Sequence, residues 1–365
     1  MVTGTTASVS RALQRLLAAE IGRAGGWLPF DRFMALALYA PGLGYYANDS
    51  RKFGPMPSSG SDFVTAPEMT PLFGRALAVQ VRDALAATST TEVWEFGAGS
   101  GALAEQLLLE LGEAVQRYTI VEVSASLQRR QRERLAAFGD KVHWAGELPD
   151  RFAAVVVGNE VLDAMPVKLL ARTRGSWHER GVSLEADALA WRDVPTGLRP
   201  PLEVEGAHDY VTELHVQAEA FVRTLADRLE RGAAFFIDYG FPEREYYHPQ
   251  RHMGTLMCHR GHMADPDPLH GVGEKDITAH VNFTGVALAA QEAGLATLGY
   301  TTQARFLLNC GIAKWLAEAD LPDRAAGHRL VAEHEMGELF KVIALHRGAW
   351  WDAVGFREGD RTDRL

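Results

Sequence analysis

Three glycines at alternate positions constrain this chain more than anything else in it. They stand in the stretch Val93-Trp94-Glu95-Phe96-Gly97-Ala98-Gly99-Ser100-Gly101-Ala102-Leu103-Ala104. The apolar run before them and the helix formers after them predict a short buried strand, a tight turn and a helix running to about Leu111. Glycine admits backbone conformations closed to other residues and lets a ligand lie against the main chain. A strand-to-helix reversal of this kind belongs at the carboxyl end of a parallel sheet, where open α/β folds bind their ligands. A small molecule with a nucleoside-like part is therefore expected over Gly97, Gly99 and Gly101.

Spacing discriminates among such molecules. The dinucleotide fingerprint is G-x-G-x-x-G; here the pattern is G-x-G-x-G, with Glu95 two residues ahead of it. A pyrophosphate wants helix amides and no carboxylate nearby. A ligand with a cationic amino and sulfonium end, such as S-adenosylmethionine, is attracted to one. Glu95 is accordingly assigned to the cofactor, and a nicotinamide oxidoreductase is disfavoured. Downstream, Tyr118-Thr119-Ile120-Val121-Glu122-Val123 reads as a second strand ending in an acid. Glu122 lies about 20 residues past the glycines, where a carboxylate grips ribose hydroxyls. NAD enzymes share that acid, so it supports a nucleoside without choosing between cofactors. Its competing reading is a solvated charge at a strand end.

The bulk numbers exclude some classes. A length of 365 residues allows one large domain with additions or two modest ones. The formal charge of -10 argues against a broad nucleic-acid footprint, which needs a basic excess. No apolar run approaches the ~20 residues that span a bilayer, so membrane insertion is not expected. Two cysteines, Cys258 and Cys310, make no disulfide framework and point to a reducing compartment. Arg11 and Arg15 sit on an apolar helical pattern without the layout of a cleaved signal, and a cytoplasmic location is expected.

In chain order, Ser10 to about Gly22 has apolar residues at helical spacing, and Pro29 and Asp31 open a second helix through Leu38. Ser50 to Gly60 is a Pro/Gly/Ser loop, and Thr70-Pro71 starts a helix to about Ala87. After the sheet begins at Val93, strands are expected at Tyr118–Val123, Val142–Trp144, Ala154–Val157, Ala233–Gly240, Ala296–Tyr300 and Leu339–His346, separated by helices. Short alternating runs at Val167–Ala171, Ser176–Arg180 and Ala188–Trp191 read as an inserted antiparallel meander. Phe241 to about His280 is long, irregular and rich in Pro, Gly and His, as functional lids and binding loops are. The last residues, from Arg357, read as frayed. The expected division is residues 1–88 as a helical N-terminal cap and cofactor lid, 89–346 as the main domain with insertions at about 167–210 and 241–283, and 347–365 as a tail.

Six blocks now occur in one order: Gly60-Ser61-Asp62-Phe63-Val64-Thr65-Ala66-Pro67-Glu68, Glu95 to Gly101, Val121-Glu122-Val123-Ser124, Asn159-Glu160-Val161-Leu162-Asp163-Ala164-Met165-Pro166-Val167, Asp238-Tyr239-Gly240, and Asp276 to Phe283. Together they resemble the MidA family of S-adenosylmethionine-dependent methyltransferases, from about Ser10 to His346. The resemblance implies an α/β fold of the class I methyltransferase (Rossmann-like) type, with a seven-stranded sheet, a helical N-terminal section and the inserted meander. It also implies methyl transfer to a protein arginine in the mitochondrial members, which assist assembly of respiratory complex I. The chain lacks an Arg-rich, Ser-rich presequence and resembles the bacterial members. A protein acceptor, a respiratory-complex subunit among the candidates, is the expected partner.

Roles follow from that fold. Gly97, Gly99 and Gly101 would border the methionine part of the cofactor, Glu122 the ribose, and Glu147 and Leu148 the adenine; Glu147 reads equally as an exposed turn acid. Asn159-Glu160 ends the fourth strand, where acceptor chemistry sits in this fold, and Asn159 is assigned to the cofactor. A guanidinium is planar and matches a carboxylate in a bidentate pair, so Glu160 is expected to hold the acceptor, with Asp163 next. The competing reading has both acids merely capping the turn before Pro166. Arginine methyltransferases often carry two glutamates in one loop, and this chain has a glutamate and an aspartate at a different spacing. Asp62, Phe63, Thr65 and Glu68 would fold over the cofactor, or else cap the helix after Pro71. His248, His252, Cys258, His259, His262 and His270 suggest zinc ligands, yet no C-x-x-C pair is present and no closed zinc spacing is matched, so no metal is expected. His280 reads as a general base or a satisfied histidine, and Tyr239 as a cofactor contact or core filler. The reading is an S-adenosylmethionine-dependent protein methyltransferase acting at arginine. Its alternatives are methylation of a small molecule or another residue, and a cofactor-binding assembly module without turnover.

Overall fold

The computed structural model describes residues 3–48 and 64–365. They fall into two compact units. One collects Met1–Phe63, Asp163–Ala218 and Phe241–Asn282; the other collects Val64–Leu162, Glu219–Gly240 and Phe283–Leu365.

The second unit holds the large sheet. Its strands are β1 (Glu92–Phe96), β2 (Arg117–Val121), β3 (Val142–Ala145), β4 (Phe152–Asn159), β5 (Leu229–Phe241), β6 (Ala296–Thr302) and β7 (Phe340–Arg347). They run in the order β3-β2-β1-β4-β5-β7-β6. Strands β1 to β5 are mutually parallel, and β7 lies antiparallel between β5 and β6. These seven strands, of a sheet of eight, have the order and directions expected of a class I methyltransferase from the sequence. The chain winds outward from β1 to β3 and then restarts on the other side at β4. The switch point therefore lies at the carboxyl ends of β1 and β4, where an open α/β sheet leaves a crevice.

Strands β4 and β5 are near-continuous apolar runs because both faces of a parallel sheet are covered. Val155 and Val157 of β4 and Phe235 and Ile237 of β5 share one buried core with helices Leu72–Thr88 and Ala102–Leu111. Each such side chain contributes roughly 1.5–3 kcal/mol on burial. Helix Leu72–Thr88 puts Phe73, Leu77 and Val81 into this core, so the boundary between units falls after Phe63, not at residue 88. The tail also departs from expectation. Arg361 donates its backbone N–H to the Tyr300 carbonyl at 2.6 Å, Asp360 accepts from the Tyr300 N–H at 2.9 Å, and Phe356 is buried. The charged run after Arg357 lies along β6 because its polar atoms complete that strand's hydrogen bonds.

The first unit is built around a second core. Helix Phe30–Tyr39 turns Phe30, Phe33, Met34, Ala37 and Leu38 inward, against Leu169 and Val182 of the meander. The meander comprises Lys168–Thr173, Ser176–Glu185 and Ala188–Pro195, each antiparallel to the next. Tyr210–Leu214 pairs on the far side of Lys168–Thr173. The segment expected to be irregular after Phe241 carries a small antiparallel sheet of Met263–Asp265, Met257–Arg260 and Asp276–Thr278. Among the described residues no helix is long and apolar enough to cross a membrane.

Candidate active site

The glycine turn leaves β1 at the switch point. Gly97, Gly99 and Gly101 all have positive φ, at 65°, 52° and 84°, in the left-handed region that side chains disfavour. At Gly97 there is also no room: a Cβ would lie 2.8 Å from Val161 Cγ2. The glycine turn and the turn after β4 are thus packed against each other.

Glu122 follows β2 and is 8% exposed. Its Oε1 accepts from the Ser124 N–H at 2.7 Å and its Oε2 from Gln131 Nε2 at 3.3 Å. A carboxylate buried and oriented in this way is not a solvated strand-end charge. Gln131, on helix Ala125–Arg134, is fully buried and joins three parts of the site. Its Nε2 donates to the Gly99 carbonyl at 2.9 Å as well as to Glu122, and its Oε1 accepts from Trp144 Nε1 of β3 at 2.9 Å. No sequence argument singled it out; the only signal was a glutamine on the inward stripe of an otherwise charged helix. Gln131→Leu leaves the Trp144 indole N–H without its acceptor, at about 1–3 kcal/mol, and removes the side-chain donor that joins Glu122 to the Gly99 carbonyl. It is expected to weaken S-adenosylhomocysteine binding roughly 10- to 100-fold, read by isothermal titration; unchanged affinity would remove Gln131 from the site.

Glu95 is 2% exposed, and its Oε2 accepts from Tyr118 Oη on β2 at 2.7 Å. Burial pushes its carboxyl up to about 8, against the lowering effect of the Tyr118 bond. The acid is held inside the sheet, not open at the mouth of the crevice. Of the proposed lid, Asp62 and Phe63 lie outside the described residues. Thr65 accepts at its carbonyl from the Glu68 N–H at 3.0 Å. Glu68 Oε1 accepts from Ser100 Oγ of the glycine turn and from Arg134 Nη1 at 3.4 Å, so residues 65–69 are fastened to the turn itself. Glu147 is exposed on the bend after β3, and Leu148 is half-buried with its carbonyl accepting from Arg228 Nη1.

Asn159 and Glu160 end β4. Glu160 has φ 54°, a conformation uncommon outside glycine, and its N–H donates to the Ile237 carbonyl at 2.9 Å. The turn is clamped by Asp238 of β5, whose Oδ2 accepts from the Val161 and Leu162 N–H groups at 3.1 and 2.9 Å. Asp238 is a second position that the sequence reading left without a role, although a buried acid closing an apolar strand was the available signal. Asn159 Nδ2 donates to Glu160 Oε1 at 3.0 Å.

Asp163 belongs to the first unit. It is 4% exposed, and its carbonyl accepts from the Ala279 N–H at 3.0 Å. Tyr46 beside it donates to Asp276 Oδ2 at 2.8 Å. The Tyr46 phenol is raised well above its ordinary range by burial and then by the charges of Asp276 and Asp163. Tyr239 packs edge-on against Phe340, with ring centroids 5.3 Å apart. His280 lies against the Phe241 ring, and its N–H donates to Thr255 Oγ1 at 3.0 Å. Among the described residues no three His, Cys, Asp or Glu are grouped to hold a metal ion. Cys258 is buried and its thiol is pushed up to about 12, chiefly by burial.

A glycine turn at the switch point, an oriented acid after β2 and this strand order define an open α/β protein of the class I methyltransferase type. Residues 72–301 match the family described as "Putative S-adenosyl-L-methionine-dependent methyltransferase", and the chain belongs to that family. It is similar to a crystal structure of a Burkholderia thailandensis protein bound to S-adenosyl-homocysteine, at 50% identity and a TM-score of 0.95, covering 99% of this chain and 98% of that one. A native crystal structure of a protein from the same organism is 48% identical, with a TM-score of 0.90 and the same coverage. The protein arginine methyltransferase NDUFAF7 of Danio rerio is 28% identical over 93% of this chain and 88% of that protein. The Caenorhabditis elegans homologue is 26% identical over 91% of this chain and 86% of that protein.

Proposed function

We propose that the chain binds S-adenosylmethionine over its glycine turn and transfers the methyl group to an arginine of a protein acceptor. The observation that carries this reading is the ring of contacts in which Gln131 ties the Gly99 carbonyl to the Glu122 carboxylate. It holds a bare backbone and an oriented acid on either side of one crevice. The residues present fit an adenosyl ligand. Gly97, Gly99 and Gly101 present bare backbone, Glu122 is oriented for a ribose diol, and Val123 next to it is an apolar side chain 78% exposed, of the kind an adenine ring covers. Glu147 and Leu148, on the bend after β3, are the residues assigned to the adenine.

When bound, the cofactor supplies an activated methyl group on a sulfonium. The chain's own work is then to orient the acceptor, exclude water and take up a proton. The acceptor nitrogen gains the methyl carbon and loses one proton, the C–S electron pair stays on sulfur, and Glu160 is the base we assign to take up the proton. Support for arginine comes from the name of the Danio rerio and Caenorhabditis elegans relatives, protein arginine methyltransferase NDUFAF7, and from a carboxylate at the acceptor end of β4. A respiratory-complex subunit is the first acceptor to assay, given the family resemblance.

The test supplies a labelled methyl donor and the purified chain to lysate from a strain lacking this gene, and maps the label by mass spectrometry. The expected product is methylarginine in one or a few proteins. Label confined to small molecules would replace the protein acceptor with a metabolite.

A further inference from the structure

Asn159 carries a buried polar atom for which the described residues supply no partner. The residue is 8% exposed, and its Oδ1 has no hydrogen bond among the described residues. The amide cannot be turned to repair this. Nδ2 donates to Glu160 Oε1 at 3.0 Å, and the flipped amide would set Oδ1 against that carboxylate oxygen. The backbone cannot move either, because Asn159 is in register with Ile237 on β5 and the next residue donates to the Ile237 carbonyl. A buried acceptor left unmade costs about 1–3 kcal/mol, and such atoms in native structures call for an explanation. This one sits at the carboxyl end of β4, on the turn packed against Gly97.

We propose that Asn159 is an acceptor-binding residue: its Oδ1 takes one N–H of the group to be methylated while the Glu160 carboxylate takes another. The inference rests on the proposed methyl transfer and moves Asn159 from the cofactor to the acceptor. Two acceptor atoms on adjacent residues, linked by their own hydrogen bond, select a nitrogen group that presents at least two N–H donors. A guanidinium has five such donors in a fixed plane. A hydroxyl or thiol has one and leaves the second atom unsatisfied. The pair thus selects against oxygen and sulfur nucleophiles and suits a guanidinium, since an unpaired buried polar group is what makes the wrong substrate costly.

The test uses the full chain and two variants. Asn159→Leu removes both polar atoms. Asn159→Asp keeps an acceptor, and a proton shared with Glu160 replaces the lost donor, because two carboxylates so close do not both ionise. Asn159→Leu is expected to lower transfer of labelled methyl to lysate protein at least tenfold, with S-adenosylhomocysteine affinity within threefold of the parent by isothermal titration. That retained affinity shows that the variant is folded. Asn159→Asp is expected to keep more activity than Asn159→Leu at low pH and to lose it as pH rises and the shared proton leaves, a profile that a merely structural role would not produce. Loss of S-adenosylhomocysteine affinity in step with activity would return Asn159 to the cofactor. Full activity of Asn159→Leu, or label recovered as methyl ester or thioether, would overturn the inference while methyl transfer stands. A parent protein that binds S-adenosylhomocysteine yet labels no protein would overturn the proposed function itself.

Discussion

Glu160→Gln is expected to lower the rate of methyl transfer roughly 10²- to 10³-fold while leaving S-adenosylhomocysteine affinity within a factor of three. The substitution keeps the shape and an oxygen for Asn159 Nδ2 but removes the charge. A charged partner makes a hydrogen bond to a guanidinium roughly twice as strong as a neutral one, and a positioned base contributes about 10²–10⁴ in rate. The conformation of the residue argues for function as well. A glutamate at φ 54° is an uncommon choice where glycine would fit more easily. The Ile237 carbonyl and the Asp238 carboxylate hold the turn in place against that cost. Initial rates with labelled donor, together with calorimetric titration of the demethylated product, separate the outcomes. Lost affinity with an unchanged rate at saturation would place Glu160 in the cofactor shell.

Glu95→Gln is expected to stabilise the protein in proportion to pH. The Glu95 carboxyl is raised from 4.5 to about 8, first by burial, so in the folded protein the neutral form is favoured. Its contribution to stability is complete below about pH 4.5, where the unfolded chain is also protonated, and is lost as pH rises towards 8. Each pH unit in that window is worth about 1.4 kcal/mol, so the parent should fall behind Glu95→Gln by on the order of 5 kcal/mol between pH 4.5 and 8. Denaturant unfolding of both proteins at several pH values measures the difference, and parallel curves would show that the carboxyl ionises freely in the fold. The acid was legible from its place before Gly97; its protonation was not, because that depends on Tyr118 and on the layers that bury both.

The amino-acid sequence alone determined the features written in neighbouring residues. The G-x-G-x-G spacing, the acid ending the second strand, the apolar runs of β4 and β5 and the turn residues between the meander strands all act over a few positions. Backbone geometry turns such patterns directly into a strand, a turn or a helix start. The tertiary structure alone decided which distant polar atoms meet. Gln131 bridges the Gly99 carbonyl, Glu122 and Trp144, Asp238 clamps Val161 and Leu162, and Asp163 is assigned to a different unit from Glu160. The tail from Arg357 reads as frayed by composition, yet it completes the hydrogen bonds of β6. A hydrogen bond needs two atoms within about 3 Å, and no periodicity in the chain encodes that meeting for residues tens of positions apart. The packing of the sheet and its helices brings them together, and in doing so leaves Asn159 Oδ1 with no donor among the described residues.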